Sequence, residues 1–243
     1  MTGFAIAIDG PVGVGKSTTA RLVAQKLGFS YIDTGAMYRA VALYNIQRGI
    51  DLTNAASLEN SMKNIEIELR HINDEQCVYL NGDDVTNKIR TQEISESASV
   101  VAAQKTVRLK MVEAQQKMAE TGQVVMDGRD IGTHVLPWAQ LKVYLDADID
   151  IRTKRRMEEL ISKGQPAQFE KIKKDTEVRD HRDKTRTISP LRKAEDAIVL
   201  DTGNITPEEV ATKIIKLLYS NNEKFPKCEP PENISFSEYS RGK

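Results

Sequence analysis

The chain has 243 residues, 40% hydrophobic and 29% charged, an ordinary globular composition for one large domain or a domain carrying a smaller insertion. Lys+Arg and Asp+Glu balance at 35 each, which removes any net field favouring a nucleic-acid or membrane-surface partner. Only three histidines and two cysteines, Cys77 and Cys228, with no Cys-x-x-Cys pair, exclude a zinc framework or a disulfide-stapled fold, and free thiols in a cytoplasmic protein are expected.

The first apolar run, "FAIAI" (4–8), predicts a strand buried on both faces. It is far too short for a signal-peptide core, and no later segment approaches the ~20 apolar residues of a membrane span. A helix follows from about Lys16 to Leu27, closed by Gly28. "FSYID" (29–33) predicts a second strand, and Thr34 is read as the cap of a helix to about Arg48, stopped by Gly49. After about Ser57 the pattern changes. "IEIEL" (65–69) alternates apolar and charged residues, "CVYL" (77–80) follows, and Asn81-Gly82 is a strong hairpin signal. These residues predict a small antiparallel sheet inserted at roughly 60–90.

One long helix is predicted from about Thr91 to Glu120, with Val100, Val107, Met111, Ala114 and Met118 on a core-facing stripe. "VVMD" (124–127), "LKVYLD" (141–146) and "AIVLD" (197–201) predict three further strands. Charged helices are expected over about 148–163 and from near Phe169. Thr206-Pro207-Glu208-Glu209 is a capping box opening a last helix to about Tyr219. Residues 220–243, rich in Pro, Asn, Ser and charge, predict a disordered tail. The whole predicts an α/β fold: a five-stranded parallel doubly wound sheet built from 1–59 and 91–219, interrupted by the insertion. Ligands in such folds sit at the carboxyl ends of the strands.

The motifs that carry chemistry follow those strands. Gly10-Pro11-Val12-Gly13-Val14-Gly15-Lys16-Ser17 matches G-x-x-x-x-G-K-[ST] between a strand and a helix, with Thr18 beside it. Glycines let the chain wrap an anion and aim N–H groups inward, and the helix adds its positive end. Lys16 is assigned to the β- and γ-phosphates of ATP and the Ser17 hydroxyl to Mg²⁺. "VVMD" resembles the apolar run whose closing acid holds the magnesium water shell, which assigns Asp127 to the metal through water.

Such a cradle serves a GTPase switch, an ATP-driven motor or a kinase. No Asn-Lys-x-Asp motif is present to read guanine, and 243 residues leave little room for a motor's coupling regions. Arginine at strand ends discriminates further: Arg39 in "DTGAMYR", Arg129 in "DGRD", and Arg179, Arg182 and Arg186 with Asp183 in "VRDHRDKTR". Arg179 and Asp183 are also spaced for an i,i+4 pair on a solvated face. Arginine favours bidentate phosphate recognition, and three arginine segments able to converge beyond one sheet edge point to a second phosphate as acceptor.

"DGPVGVGKST", "DTGAMYR", "IRTQEISESAS", "DGRDIGT" and "RDHRDKTR...SPL", in this order and spacing, resemble the bacterial cytidylate kinases, P-loop kinases of the nucleoside monophosphate kinase family, over residues 4 to about 218. The resemblance implies transfer of the γ-phosphoryl group of MgATP to CMP or dCMP. It implies that Arg39, Arg129 and Arg186 grip the acceptor phosphate and act with Lys16 in catalysis. Thr34, Arg108 and Asp130 would contact the base, and Ser99, Arg179 and Asp183 the sugar. Tyr38 either packs beside the monophosphate or fills the helix–sheet interface. Arg155 and Arg156, with Arg152, lead into a segment resembling a short helical lid (about 150–168) and are expected to meet ATP. A carboxylate such as Asp130 accepts from the cytosine amine and repels the uracil carbonyl. His71, His134 and His181 show no general-base pattern, and an ionised acceptor phosphate requires none. A monomer with no nucleic-acid or membrane partner is expected. The rival readings are a P-loop kinase for a non-nucleotide metabolite, such as a shikimate-type kinase, and a non-catalytic ATP-binding module.

Overall fold

Six consecutive buried residues, Phe4–Asp9, form strand β1 at the centre of a parallel sheet in the computed structural model, which describes residues 3–72, 75–120 and 122–220. The predicted tail, beyond Ser220, lies outside the described residues. Strand β2 (Ser30–Asp33) follows helix α1 (Lys16–Leu27), and helix α2 (Thr34–Gln47) follows β2. Helix α3 (Ala55–Met62) then leads into an antiparallel sheet of β3 (Ile67–Ile72), β4 (Glu75–Leu80) and β5 (Asp83–Asp84). Helices α4 (Gln92–Val101) and α5 (Lys105–Ala119) return the chain to β6 (Gln123–Gly128). Strand β7 (Leu141–Asp146), helices α6 (Ile149–Ser162) and α7 (Phe169–Thr185), strand β8 (Ile198–Asp201) and helix α8 (Pro207–Ser220) complete it.

The large sheet has the order β2-β6-β1-β7-β8, all parallel, so the α/β reading holds. One face is sealed by α1 and α8, where Val23 and Ile214 meet Ile6 and Ile8. On the other, Ala5, Ala7 and Met126 meet Ile131, Leu136 and Ala119 of α5. Each fully buried Val, Leu, Ile or Met side chain here contributes about 1.5–3 kcal/mol. The parallel register aligns the carboxyl ends, pairing Asp33 with Asp127 and Asp9 with Gly128. That alignment brings the motif loops together.

The small sheet packs Val78 and Leu80 onto α2 and α3 through Leu43 and Leu58. Asn81 and Gly82 turn β4 into β5 with φ of 51° and 87°, the left-handed pair that the Asn-Gly signal calls for. Three features differ from the sequence reading. The long helix is two, α4 and α5, broken at 102–104 with no Gly or Pro; the Arg108 side chain, folded back, donates from Nη1 to the Ala102 carbonyl at 3.2 Å and satisfies the end of α4. Asp33, not Thr34, caps α2 by accepting the Ala36 N–H at 2.9 Å. Helix α3, signalled only by Asn54, which caps it by accepting the Ser57 N–H at 3.0 Å, and a π-turn at Ile131–Val135 are both missing from the sequence reading.

Gly10 follows β1 at φ 150°, and a Cβ there would stand 2.2 Å from the Leu145 carbonyl oxygen of β7. Neither backbone can yield without breaking the β1–β7 ladder. Gly10→Ala is expected to cost about 3 kcal/mol or more, read as a shift of the denaturant midpoint; an unshifted midpoint contradicts this packing.

Candidate active site

The phosphate loop runs from the end of β1 to the start of α1, where Gly15 (φ 85°) leads into the helix without a side-chain cap, an arrangement suited to an anion. The Lys16 Nζ donates to the Pro11 carbonyl at 2.6 Å, and burial together with the Arg129 charge pushes its pKa well down. Ser17 Oγ donates to Asp127 Oδ2 at 2.9 Å, and the Tyr31 hydroxyl donates to Asp127 Oδ1 at 2.9 Å. Burial and the neighbouring Asp33 charge push the Asp127 carboxyl up to about 6. A hydroxyl, a buried carboxylate and a second carboxylate nearby form a hard-oxygen donor set that suits Mg²⁺.

Opposite this loop, carboxylates and guanidinium groups interleave. Asp130 binds Arg108 through Oδ2 and Arg186 through Oδ1, the latter at 3.2 Å. Asp183 accepts from Arg129 Nε at 2.8 Å and lies 3.9 Å from Arg186 Nη1. The spacing-based pair Arg179–Asp183 is thus superseded: Asp183 turns to Arg129, while Arg179 Nη1 donates to Ser95 Oγ at 3.2 Å. Burial and the Arg129 charge push Arg179 down to about 10. Arg39 stands 3.8 Å from Asp33. The Arg108 guanidinium, 1% exposed, lies over the Tyr38 ring at 5.4 Å. Thr34 Oγ1 donates to the Asp127 carbonyl at 2.7 Å. Ser99 Oγ is buried in the wall without a partner, as is Arg179 Nε.

Arg155 donates to the Thr202 hydroxyl at 3.2 Å and to its carbonyl, joining α6 to the loop after β8. Arg156 binds Glu159 at 2.6 Å and Gln92 of α4. Arg152 is instead built into the frame. Its Nη1 donates to the Val12 carbonyl at 3.0 Å and to Asp180 Oδ2 at 2.6 Å, and Asp180 Oδ1 accepts the Val12 N–H at 3.3 Å.

A single cleft of about 1230 Å³ is lined by the predicted site residues, from Val12 to Thr18 of the phosphate loop through Thr34, Tyr38, Arg39, Ser99, Arg108, Asp127, Arg129, Asp130, Arg155, Arg156, Arg179, Asp183 and Arg186. Gly10 and Pro11, at the start of the loop, do not line the cleft. Three groups escaped the sequence reading: Asp9, Asp180 and Ser95. Asp9 accepts the Ile131 N–H at 2.8 Å and the Gly132 N–H at 2.7 Å, so it fixes the π-turn that follows Arg129 and Asp130. An acid closing a wholly apolar strand was the available signal for Asp9. Asp180 and Ser95 carried none.

The family model described as cytidylate kinase matches residues 6–220. A cytidylate kinase of Bacillus subtilis is 49% identical over 213 residues, 88% of this chain and 95% of its own length. One from Shouchella clausii is 46% identical over 222 residues, 91% and 99% respectively. Among solved structures, a gluconokinase from Sinorhizobium meliloti, 12% identical, shares the fold with a TM-score of 0.50 over 91% of this chain and 96% of that one.

Burial pushes the Asp9 carboxyl from 3.8 up to about 7, against its two N–H bonds. The folded state therefore holds this proton more tightly than the unfolded chain, and the residue's contribution to stability is full below the unfolded value and lost as pH rises through 7. Thermal melts are expected to show wild type losing stability relative to Asp9→Asn as pH is raised from 5 to 8. A wild type that gains stability relative to Asp9→Asn over that range would contradict the raised value.

Proposed function

This chain belongs to the cytidylate kinase family, and we propose that it transfers the γ-phosphoryl group of MgATP to CMP or dCMP, giving ADP and CDP or dCDP. It is an enzyme of the nucleoside monophosphate kinase type. The observation that carries the substrate assignment is crowded positive charge: Arg39, Arg108, Arg129, Arg179 and Arg186 share the cleft, and the carboxylates that pair with them are three, Asp33, Asp130 and Asp183. Arg179 is pushed down first by burial and then by the Arg129 charge, and a phosphate dianion beside it offsets both.

Lys16 and the N–H groups from Gly13 to Thr18, in the loop that Gly10, Pro11 and Val12 open, hold the triphosphate, and Arg39, Arg129 and Arg186 hold the acceptor phosphate facing it. Two anions repel, and these cations offset the repulsion most where charge gathers in the transition state. Ser17 and, through water, Asp127 would hold Mg²⁺, which supplies charge neutralisation at the phosphoryl oxygens when bound. The Ser99 hydroxyl, Arg179 and Asp183 take the sugar; Asp130, Arg108 and Thr34 take the base, and Tyr38 supports Arg108 from beneath. Residues 60–90 serve as the acceptor-binding insertion on a core of 1–59 and 91–219. The segment at about 150–168, with Arg155 and Arg156, closes as a lid that excludes water from ATP. The enzyme acts as a cytoplasmic monomer without nucleic-acid or membrane partners; no helix among the described residues is long and apolar enough to cross a membrane.

A coupled assay of ADP release across the common monophosphates is expected to give turnover with CMP and dCMP. ADP formation indifferent to both, or none at all, overturns the assignment and restores the metabolite-kinase or binding-module reading. Because Asp130 holds two arginines as well as facing the base, Asp130→Asn is expected to lower kcat/KM for CMP by about tenfold to a hundredfold and to narrow the preference for CMP over UMP. An unchanged CMP/UMP ratio removes Asp130 from base recognition.

A further inference from the structure

Strand β2 is the edge of the large sheet, and an edge leaves main-chain groups that require partners. Two of them are met by side chains of the inserted sheet. His71 Nε2 lies 3.0 Å from the Tyr31 carbonyl oxygen, and Gln76 Oε1 accepts the Asp33 N–H at 3.0 Å. The carbonyl requires a proton on His71 Nε2, as a neutral tautomer or an imidazolium. His71 and Gln76 stand directly opposite each other in the β3–β4 ladder, while Tyr31 and Asp33 are two apart in β2 and share one edge. The two side chains take the place of a neighbouring strand at two points.

What they hold matters for the cleft. Asp33 caps α2 through the Ala36 N–H and stands 3.8 Å from Arg39, while the Tyr31 hydroxyl bonds Asp127. We infer that His71 and Gln76 are positioning residues, a two-point latch through which the inserted sheet fixes Asp33 and thereby sets Arg39 for the acceptor phosphate. The latch touches no substrate. It acts through the strand edge, so its loss weakens the acceptor side and leaves the phosphate loop, held by its own bonds from Lys16 to the Pro11 carbonyl and from the Val12 N–H to Asp180, as it was.

The functional consequence rests on the proposed acceptor reading, so the test has one arm that needs no substrate. In Gln76→Ala, hydrogen exchange at the Asp33 amide is expected to quicken several-fold in the ligand-free protein. In coupled assays, Gln76→Ala and His71→Leu are each expected to raise KM for CMP about fivefold, the size of one net hydrogen bond, with KM for ATP unchanged. His71→Gln, which keeps an N–H donor, is expected to restore the wild-type KM. Unchanged Asp33 exchange overturns the latch. So does a KM for ATP that rises in step with that for CMP, or a His71→Gln protein no better than His71→Leu. Should wild type fail to phosphorylate CMP, the acceptor reading falls, and the exchange arm still decides whether the latch exists.

Discussion

Five guanidinium groups do not gather in a buried cleft unless something holds them against their own repulsion. Asp130 and Asp183 do so here, each reaching two arginines, with Arg108 and Arg186 on the one and Arg129 and Arg186 on the other. Buried ion pairs of this kind add little net stability, since desolvation offsets attraction; removing one partner costs about 3–5 kcal/mol because a bare charge is left behind. Their value is positional. Each carboxylate fixes the direction of its arginines while leaving the cluster positive, and Asp183 itself is held below the usual carboxylate value by Arg129 and its neighbours against the opposing effect of burial. The cleft is therefore arranged for an anion before one arrives.

The sheet makes that arrangement available. Because all five strands are parallel and in register at their carboxyl ends, Asp9, Asp33 and Asp127 come level. Each then serves a different neighbour. Asp127 meets the Ser17 hydroxyl of the phosphate loop, Asp33 starts the helix that carries Tyr38 and Arg39, and Asp9 reaches across to the turn after Asp130. Helix α7 supplies the remaining groups from one side, with Arg179 and Asp183 toward the cleft and Asp180 toward the phosphate loop.

What could be read from the sequence was local. The strands were legible as apolar runs, the phosphate loop as a glycine pattern between a strand and a helix, and the β4–β5 turn as Asn81-Gly82. The last capping box was equally plain: Thr206 and Glu209 exchange their predicted bonds at 2.7 and 3.2 Å. The illegible features are those made by residues distant in sequence or by side chains folding back. The break between α4 and α5 is held by Arg108 reaching the carbonyl of Ala102, which a hydrophobic stripe running straight through both helices conceals. Arg152 reads as one more exposed basic residue until Asp180, 28 positions later, is seen to fold it under Val12. His71 shows no catalytic pattern because its partner is a main-chain carbonyl.

Asp9 illustrates how few connections such a site needs. It is the last residue of β1, so its main chain leads directly into the phosphate loop, and its side chain fixes the main chain just beyond Arg129 and Asp130. A displacement of β1 relative to β6 would otherwise move the two loops independently; the two bonds of about 2.7–2.8 Å make them move together. Under the proposed function, in-line transfer depends on close placement of donor against acceptor, and this carboxylate, by tying the two loops together, would bear on that placement. Its burial, which opposes its charge, follows from the position: a group that joins two loops beneath a cleft has to lie under both.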